Sequence, residues 1–231
     1  TKSNSGREEF FNVEDPIAVM LAANGPKGQS IVGEISDGWI TTGGGAGVPR
    51  GLPVIHQAAE RVGNTFDEFG GTGYKPYVVA LTSACILHDG ETLSSERVIH
   101  SVGPTLTPGV HAMWERSFGP GSHLGMENPD LAGEYNQYIK EYGRNRSNVT
   151  PEDRRYLDVH EGHFVYLKPG EDRFVAPDVL ARTLTGTPRH VNERLDELEA
   201  MGVNNVALSA TDRHTARTLI EDFGKQVIDA R

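Results

Sequence analysis

Two glycine-bearing stretches are the first places where this chain offers chemistry. In Ala22-Ala23-Asn24-Gly25 an apolar run ends, and Pro26 follows where a helix can begin. Backbone N–H groups exposed at the positive end of such a helix attract anions. In Thr41-Thr42-Gly43-Gly44 a second apolar run ends in hydroxyl groups and unobstructed backbone. On neighbouring strands of a parallel sheet, the two stretches would share one rim, where a phosphate or a cofactor edge fits. Glycines also simply make tight turns, and the residues alone leave both readings open. Neither stretch has the GxGxxG spacing, and neither has the Gly-Lys-Ser/Thr of a P-loop.

The histidines are the next candidates: 56, 88, 100, 111, 123, 160, 163, 190 and 214. His160 and His163 have a spacing that can chelate a metal on a helix. Gly162 between them and the irregular composition around them argue for pocket lining or loop packing instead, and no metal site is expected. His111 lies near Trp114 in a stretch without clear periodicity, read as a substrate loop or a long surface connection. No GxSxG nucleophile turn occurs. Ser83 and Cys85 fall inside an apolar run and are expected to be packed rather than reactive. Glu91, Glu96, Glu193, Glu197 and Glu199 read as solvated helix faces. No catalytic residue is assigned.

The elements that would position these groups can be read from the pattern of apolar residues. Ile17 to Ala23 is an unalternating apolar run, as in a strand buried on both faces. A helix from Pro26 carries Ile31 and Ile35 and ends before Asp37. Trp39–Thr42 forms a second strand that runs into the glycines. A helix is predicted over Pro53–Val62, a third strand over Tyr77–Leu87, and a helix capped by Ser94 or Ser95 that ends near Val102. Asp130–Tyr142 reads as helix and Ala176–Leu184 as a short one. Thr187-Pro188 opens a helix that stops at Gly202, Asn205–Ser209 is a fourth strand, and Thr211 or Asp212 caps the last helix. Strands alternating with helices predict an α/β fold with a mainly parallel sheet.

Composition narrows the partners. The 231 residues carry 22 Lys+Arg against 32 Asp+Glu, a formal charge of −10, which repels nucleic acid and anionic membranes. The single cysteine excludes an internal disulfide and a cysteine-built zinc site. No apolar run approaches the roughly 20 residues of a membrane helix, and no secretory signal is visible. A soluble, cytoplasmic protein is expected. The chain begins at Thr1, which suggests a processed or partial product.

Three segments resemble the bacterial luciferase-like superfamily, which includes deazaflavin-dependent oxidoreductases. LAANGPKGQSIVGEISDGWITTGGG (21–45) is similar to the middle of such proteins. TGTPRHVNERLDELEAMGVNNVAL (185–208) and EDFGKQVID (221–229) are similar to their end, in the same order. The resemblance implies a (β/α)8 TIM barrel. The four strands would then be strands five to eight of one domain, 1–231, with an insertion at about 104–176 before the last strand. A full barrel of this kind takes about 250 residues, so the resemblance implies that the first four units are missing. It further implies a missing N-terminal half, or a homo-oligomer partner, to cover the open sheet edges.

On the same resemblance, Ala22, Ala23, Asn24, Gly25, Thr41, Thr42, Gly43 and Gly44 would approach FMN or coenzyme F-420. Deazaflavin-dependent relatives often carry a lysine in the second loop, where this chain has Gly45. The implied activity is oxidoreduction of a small organic substrate. It would be a monooxygenase with reduced FMN and oxygen, or a hydride transferase with F-420. The alternatives are a non-catalytic flavin-binding or assembly module that needs a partner chain, and a phosphosugar or nucleotide enzyme using the same anion loops.

Overall fold

The computed structural model describes residues 18–66, 76–119, 128–145 and 150–230. Residues Ile17 and His123, named above, lie outside them. The described chain forms two compact units. The first comprises Thr1–Leu81 with Leu198–Ala207, and the second Thr82–Glu197 with Leu208–Arg231.

In the first unit, β1 (Met20–Ala22) leads into α1 (Pro26–Ile35), β2 (Gly38–Thr41) and α2 (Val48–Val62), before β3 (Tyr77–Ile86) begins. β1 pairs with β2, and β2 with the start of β3, all parallel, with Leu21 opposite Trp39 and Ile40 opposite Val79. Parallel strands need a crossover, and the two helices supply it. Val32, Trp39, Val48, Ile55, Val78 and Ala80 are buried in this unit. α2 starts five residues before the predicted Pro53. Pro49 occupies its first turn, where a missing N–H costs nothing, and Pro53 is carried inside the helix. β5 (Asn205–Ser209) pairs with β3. Asn204 anchors that pairing, donating its N–H to the Val78 carbonyl while its side chain accepts the Val78 N–H at 2.8 Å.

In the second unit, the end of β3 pairs in parallel with β4 (Leu184–Gly186), Cys85 opposite Thr185. The sequence reading has no strand here and runs a helix from Ala176 to Leu184. The helix α6 is in fact Pro177–Leu180. Three residues give too short a pattern for a period to be read, and full burial of Leu184, Thr185 and Gly186 makes the strand. The described residues thus contain five strands, where four were expected.

α3 (Glu96–Phe118) is the second correction: it does not stop near Val102 but continues through Pro104 and Pro108. Each proline removes a helix hydrogen bond. A neighbouring threonine hydroxyl partly replaces the donor lost at Pro108: Thr107 Oγ1 reaches the Pro104 carbonyl at 3.5 Å. Burial of Val98 and Val102 in its first half and of Thr107, His111 and Trp114 in its second, against different core clusters, favours the helix despite its breakers. Ser95 sits at its start but does not cap it; the hydroxyl accepts the Thr92 N–H instead.

Against α3 pack α4 (Pro129–Arg144), capped by the Asn128 side chain, and a short helical turn at Asp172–Phe174. Trp114, Tyr135, Tyr138, Ile139, Val159 and Phe174 form one core cluster of this unit. Cys85, Val98, Val102, Val175 and Leu180 form another. α5 (Tyr156–Val159) precedes the two histidines of the HEGH stretch. α7 (Pro188–Ala200) ends at Gly202 as expected, and Asp212 caps α8 (Arg213–Phe223), accepting the N–H groups of His214 and Thr215. No helix among the described residues is long and apolar enough to cross a membrane.

Candidate functional site

The two loops singled out in the sequence follow the carboxyl ends of β1 and β2, which are parallel neighbours. Four hydrogen bonds fasten them. The Ala23 N–H donates to the Ile40 carbonyl at 3.2 Å, and the fully buried Trp39 indole donates to the Ala23 carbonyl at 2.7 Å. Asn24 then bridges the loops: its side-chain oxygen accepts the Thr42 N–H at 3.3 Å, while its carbonyl receives Gln29 Nε2 at 3.4 Å. Gly25 stands at the N-terminus of α1 with no side-chain cap, so the first-turn N–H groups keep their polarity for an outside acceptor. Nothing lies within 4 Å of where a Gly25 side chain would begin.

Of the eight residues, Ala22, Asn24, Gly25, Thr42 and Gly43 are exposed, Ala23 is half-buried, and Thr41 and Gly44 are buried. The Thr41 hydroxyl is directed to the Thr42 carbonyl, so the hydroxyl available at the rim is that of Thr42. Gly43, Gly44 and Gly45 all have positive φ, 70°, 63° and 81°. Three successive left-handed residues turn the chain back sharply, a path that L side chains resist.

A second constellation lies in the second unit and was not anticipated as a group. His111 from α3 meets His160 and His163 from the turn after α5. The Nδ1 atoms of His111 and His163 are 2.9 Å apart, and those of His160 and His163 are 3.2 Å apart. The other ring nitrogens are held by carboxylates: His111 Nε2 lies 3.0 Å from Glu171 Oε1, and His160 Nε2 lies 2.9 Å from Glu115 Oε1. The same Glu171 oxygen accepts Tyr135 OH at 2.7 Å and pairs with Lys168 Nζ at 2.6 Å. Lys168 Nζ also donates to the carbonyls of Val159 and Glu161, bracing the turn that carries the two histidines. Gly162 bends that turn at φ 75°; a side chain there would meet the Tyr166 carbonyl at 2.5 Å.

Lys168 and Glu171 have fully buried side chains. Burial by itself would raise the Glu171 carboxyl, but hydrogen bonds from His111, Lys168 and Tyr135 hold it down at about 2. Burial lowers His111, and the Lys168 ammonium adds to the effect against the Glu171 hydrogen bond. Burial also lowers His163, reinforced by His111 and His160. Burial pushes the Tyr135 hydroxyl far up, with Glu171 adding to it, so it remains a donor. The cluster is a buried carboxylate–ammonium pair, and the His111 and His163 imidazoles in front of it are both held below their ordinary range.

The spacing of His160 and His163 was visible in the sequence, but not the third ring. Its signal is the buried stripe Thr107, His111, Trp114 on α3, once the helix is carried past Pro108. Ser83 and Cys85 are packed as expected. Ser83 Oγ lies 2.5 Å from Thr105 Oγ1, and the buried Cys85 thiol is pushed up by burial.

No family model matches the sequence, and no curated protein matches it. Solved structures do. The coenzyme F420-dependent tetrahydromethanopterin reductase from Methanopyrus kandleri matches 93% of this chain at 18% identity, with a TM-score of 0.49, over 51% of its own length. An F420-dependent secondary alcohol dehydrogenase in complex with an F420–acetone adduct matches 94% at 13% identity, with a TM-score of 0.48, over 50% of its length. The chain spans about half the length of each.

Proposed function

We propose that this chain is part of a flavin- or deazaflavin-dependent oxidoreductase and that its two rim loops hold the phosphate-bearing part of the coenzyme. The observation that carries the reading is the Asn24–Thr42 hydrogen bond, which joins the two loops at the carboxyl ends of adjacent parallel strands. Ligands of open α/β sheets bind outside those ends. The ordered similarity of residues 21–45 and 185–229 to the luciferase-like superfamily points the same way.

In this reading the exposed N–H groups at the start of α1 and the Thr42 hydroxyl bind the anionic oxygens, and Asn24 keeps both loops in register. Gly25 leaves room for the approach. Trp39 fixes the first loop from below through the Ala23 carbonyl. The coenzyme, when bound, supplies the hydride transfer, or with FMN and oxygen the monooxygenation, of a small organic substrate. The remaining barrel units would come from elsewhere in the polypeptide or from a second chain.

Titration of the chain with FMN and, separately, with coenzyme F420, followed by fluorescence, tests the reading. One of them is expected to bind, and Asn24→Ala is expected to weaken it. A folded chain that binds neither would refute the loop assignment. Binding without turnover when the complete enzyme is assembled would favour the non-catalytic module.

A further inference from the structure

His111, His160 and His163 each bring a ring nitrogen within 4.8 Å of the other two. The outward nitrogens of two of these rings face carboxylates, Glu171 on His111 and Glu115 on His160. An ionised carboxylate accepts, so the proton of each ring sits on Nε2 and the lone pair of each Nδ1 points inward. Both lone pairs meet the Nδ1 of His163 at 2.9 and 3.2 Å. Without an ion, one N–H on His163 must serve two acceptors at once. With His163 turned to its other tautomer, the lone pairs of three nitrogens within 4.8 Å of one another are free for one ion.

That arrangement matches the needs of a zinc-type ion. Zn–N bonds of about 2.0–2.1 Å at tetrahedral angles place ligand nitrogens about 3.3 Å apart. The observed 2.9 and 3.2 Å separations need to open by only tenths of an ångström. Histidine ligands whose other nitrogen is held by a carboxylate are the usual outer support of such sites. The support here is built in: Lys168 neutralises Glu171 and braces the turn after α5 through the Val159 and Glu161 carbonyls.

We propose that His111, His160 and His163 bind one divalent first-row transition-metal ion, zinc in type, with Glu171 and Glu115 orienting the ligands. His111 forms the buried floor, whereas His160 and His163 are half-buried, which leaves the fourth position on the solvent side for water or a small oxygen ligand. This site is independent of the coenzyme reading above and stands or falls without it.

The test is calorimetric titration of the full chain with Zn2+ alone in a non-chelating buffer, repeated with Co2+ and read by visible absorption. One ion per chain and the intense band of four-coordinate Co2+ are expected. His163→Ala should abolish the Co2+ band, and Glu115→Gln should weaken Zn2+ binding about 10- to 100-fold. Far-ultraviolet circular dichroism reports whether each variant folds. Should His163→Ala fail to fold, the half-exposed Glu115→Gln carries the test. Absence of stoichiometric binding would overturn the proposal, as would unchanged Zn2+ affinity in a folded His163→Ala or Glu115→Gln variant.

Discussion

Asn24 and Thr42 are 18 residues apart in the chain, yet the side-chain oxygen of one accepts the backbone N–H of the other at 3.3 Å. The bond converts two separate turns into one rim. Both partners are exposed, so Asn24→Ala should cost stability only about 0.5–1.5 kcal/mol, read as a small fall in Tm. Coenzyme affinity should fall with it.

Gly25→Val probes the rim from the other side. The Gly25 backbone is extended, φ −106° and ψ 158°, and the space beside it is open, so the variant should fold with an unchanged Tm. A branched side chain there would block the approach to the start of α1. Coenzyme affinity should drop tenfold or more (about 1.4 kcal/mol). An unchanged affinity at unchanged Tm would remove the rim from the binding site.

The glycine run gives a graded stability prediction. Gly43→Ala meets no neighbour but places alanine at φ 70°, which should cost about 1–2 kcal/mol. Gly45→Ala meets the same strain at φ 81° and a contact of 2.6 Å with Leu198 Cδ2. Urea denaturation should show Gly45→Ala as the more damaging of the two; the reverse order would contradict the packing described.

Glu171→Gln leaves the Lys168 ammonium fully buried without its counter-charge, and should cost about 3–5 kcal/mol. Lys168→Met should be similarly harmful. The double variant should be less destabilised than the sum of the two, and a double-mutant cycle by chemical denaturation measures that coupling. Additive losses would mean that the two side chains do not act as a pair.

Acid should destabilise the protein in two stages. His111 is held below its ordinary 6.5, so the unfolded chain takes up that proton first, and stability falls as pH drops below about 6.5. Glu171 is held at about 2 against an ordinary 4.5, so its contribution is complete above 4.5 and is lost as pH falls through 2. Calorimetric Tm values at pH 7.5, 5.5 and 3.5 should decline in that order. A higher Tm at pH 5.5 than at 7.5 would run against the buried neutral imidazole.

Much of the fold was legible in local pattern. Pro26 at a helix start, Gly202 at a helix end and Asp212 as a cap each act through their immediate neighbours, and each lies where it was read, whereas the apolar run before Asn24 forms a strand only over Met20–Ala22, half-buried to exposed rather than buried on both faces. α3 was not legible because Pro104, Pro108 and Gly109 argue locally against a helix that burial along both of its halves sustains. β4 was too short to show a period. The loop pair could be inferred because consecutive parallel strands put their carboxyl ends side by side. The histidine cluster could not, because His111 and His163 are 52 residues apart, and no spacing rule spans that distance.

The burial of Cys85 has a practical corollary. It is the sole thiol of the chain, it is 4% exposed, and its ionisation is suppressed. A maleimide dye therefore has no competing target, and a cysteine placed at Gly25 would be the one reactive handle. Such a probe would stand at the mouth of the rim, and its emission would report occupancy of the loops in real time.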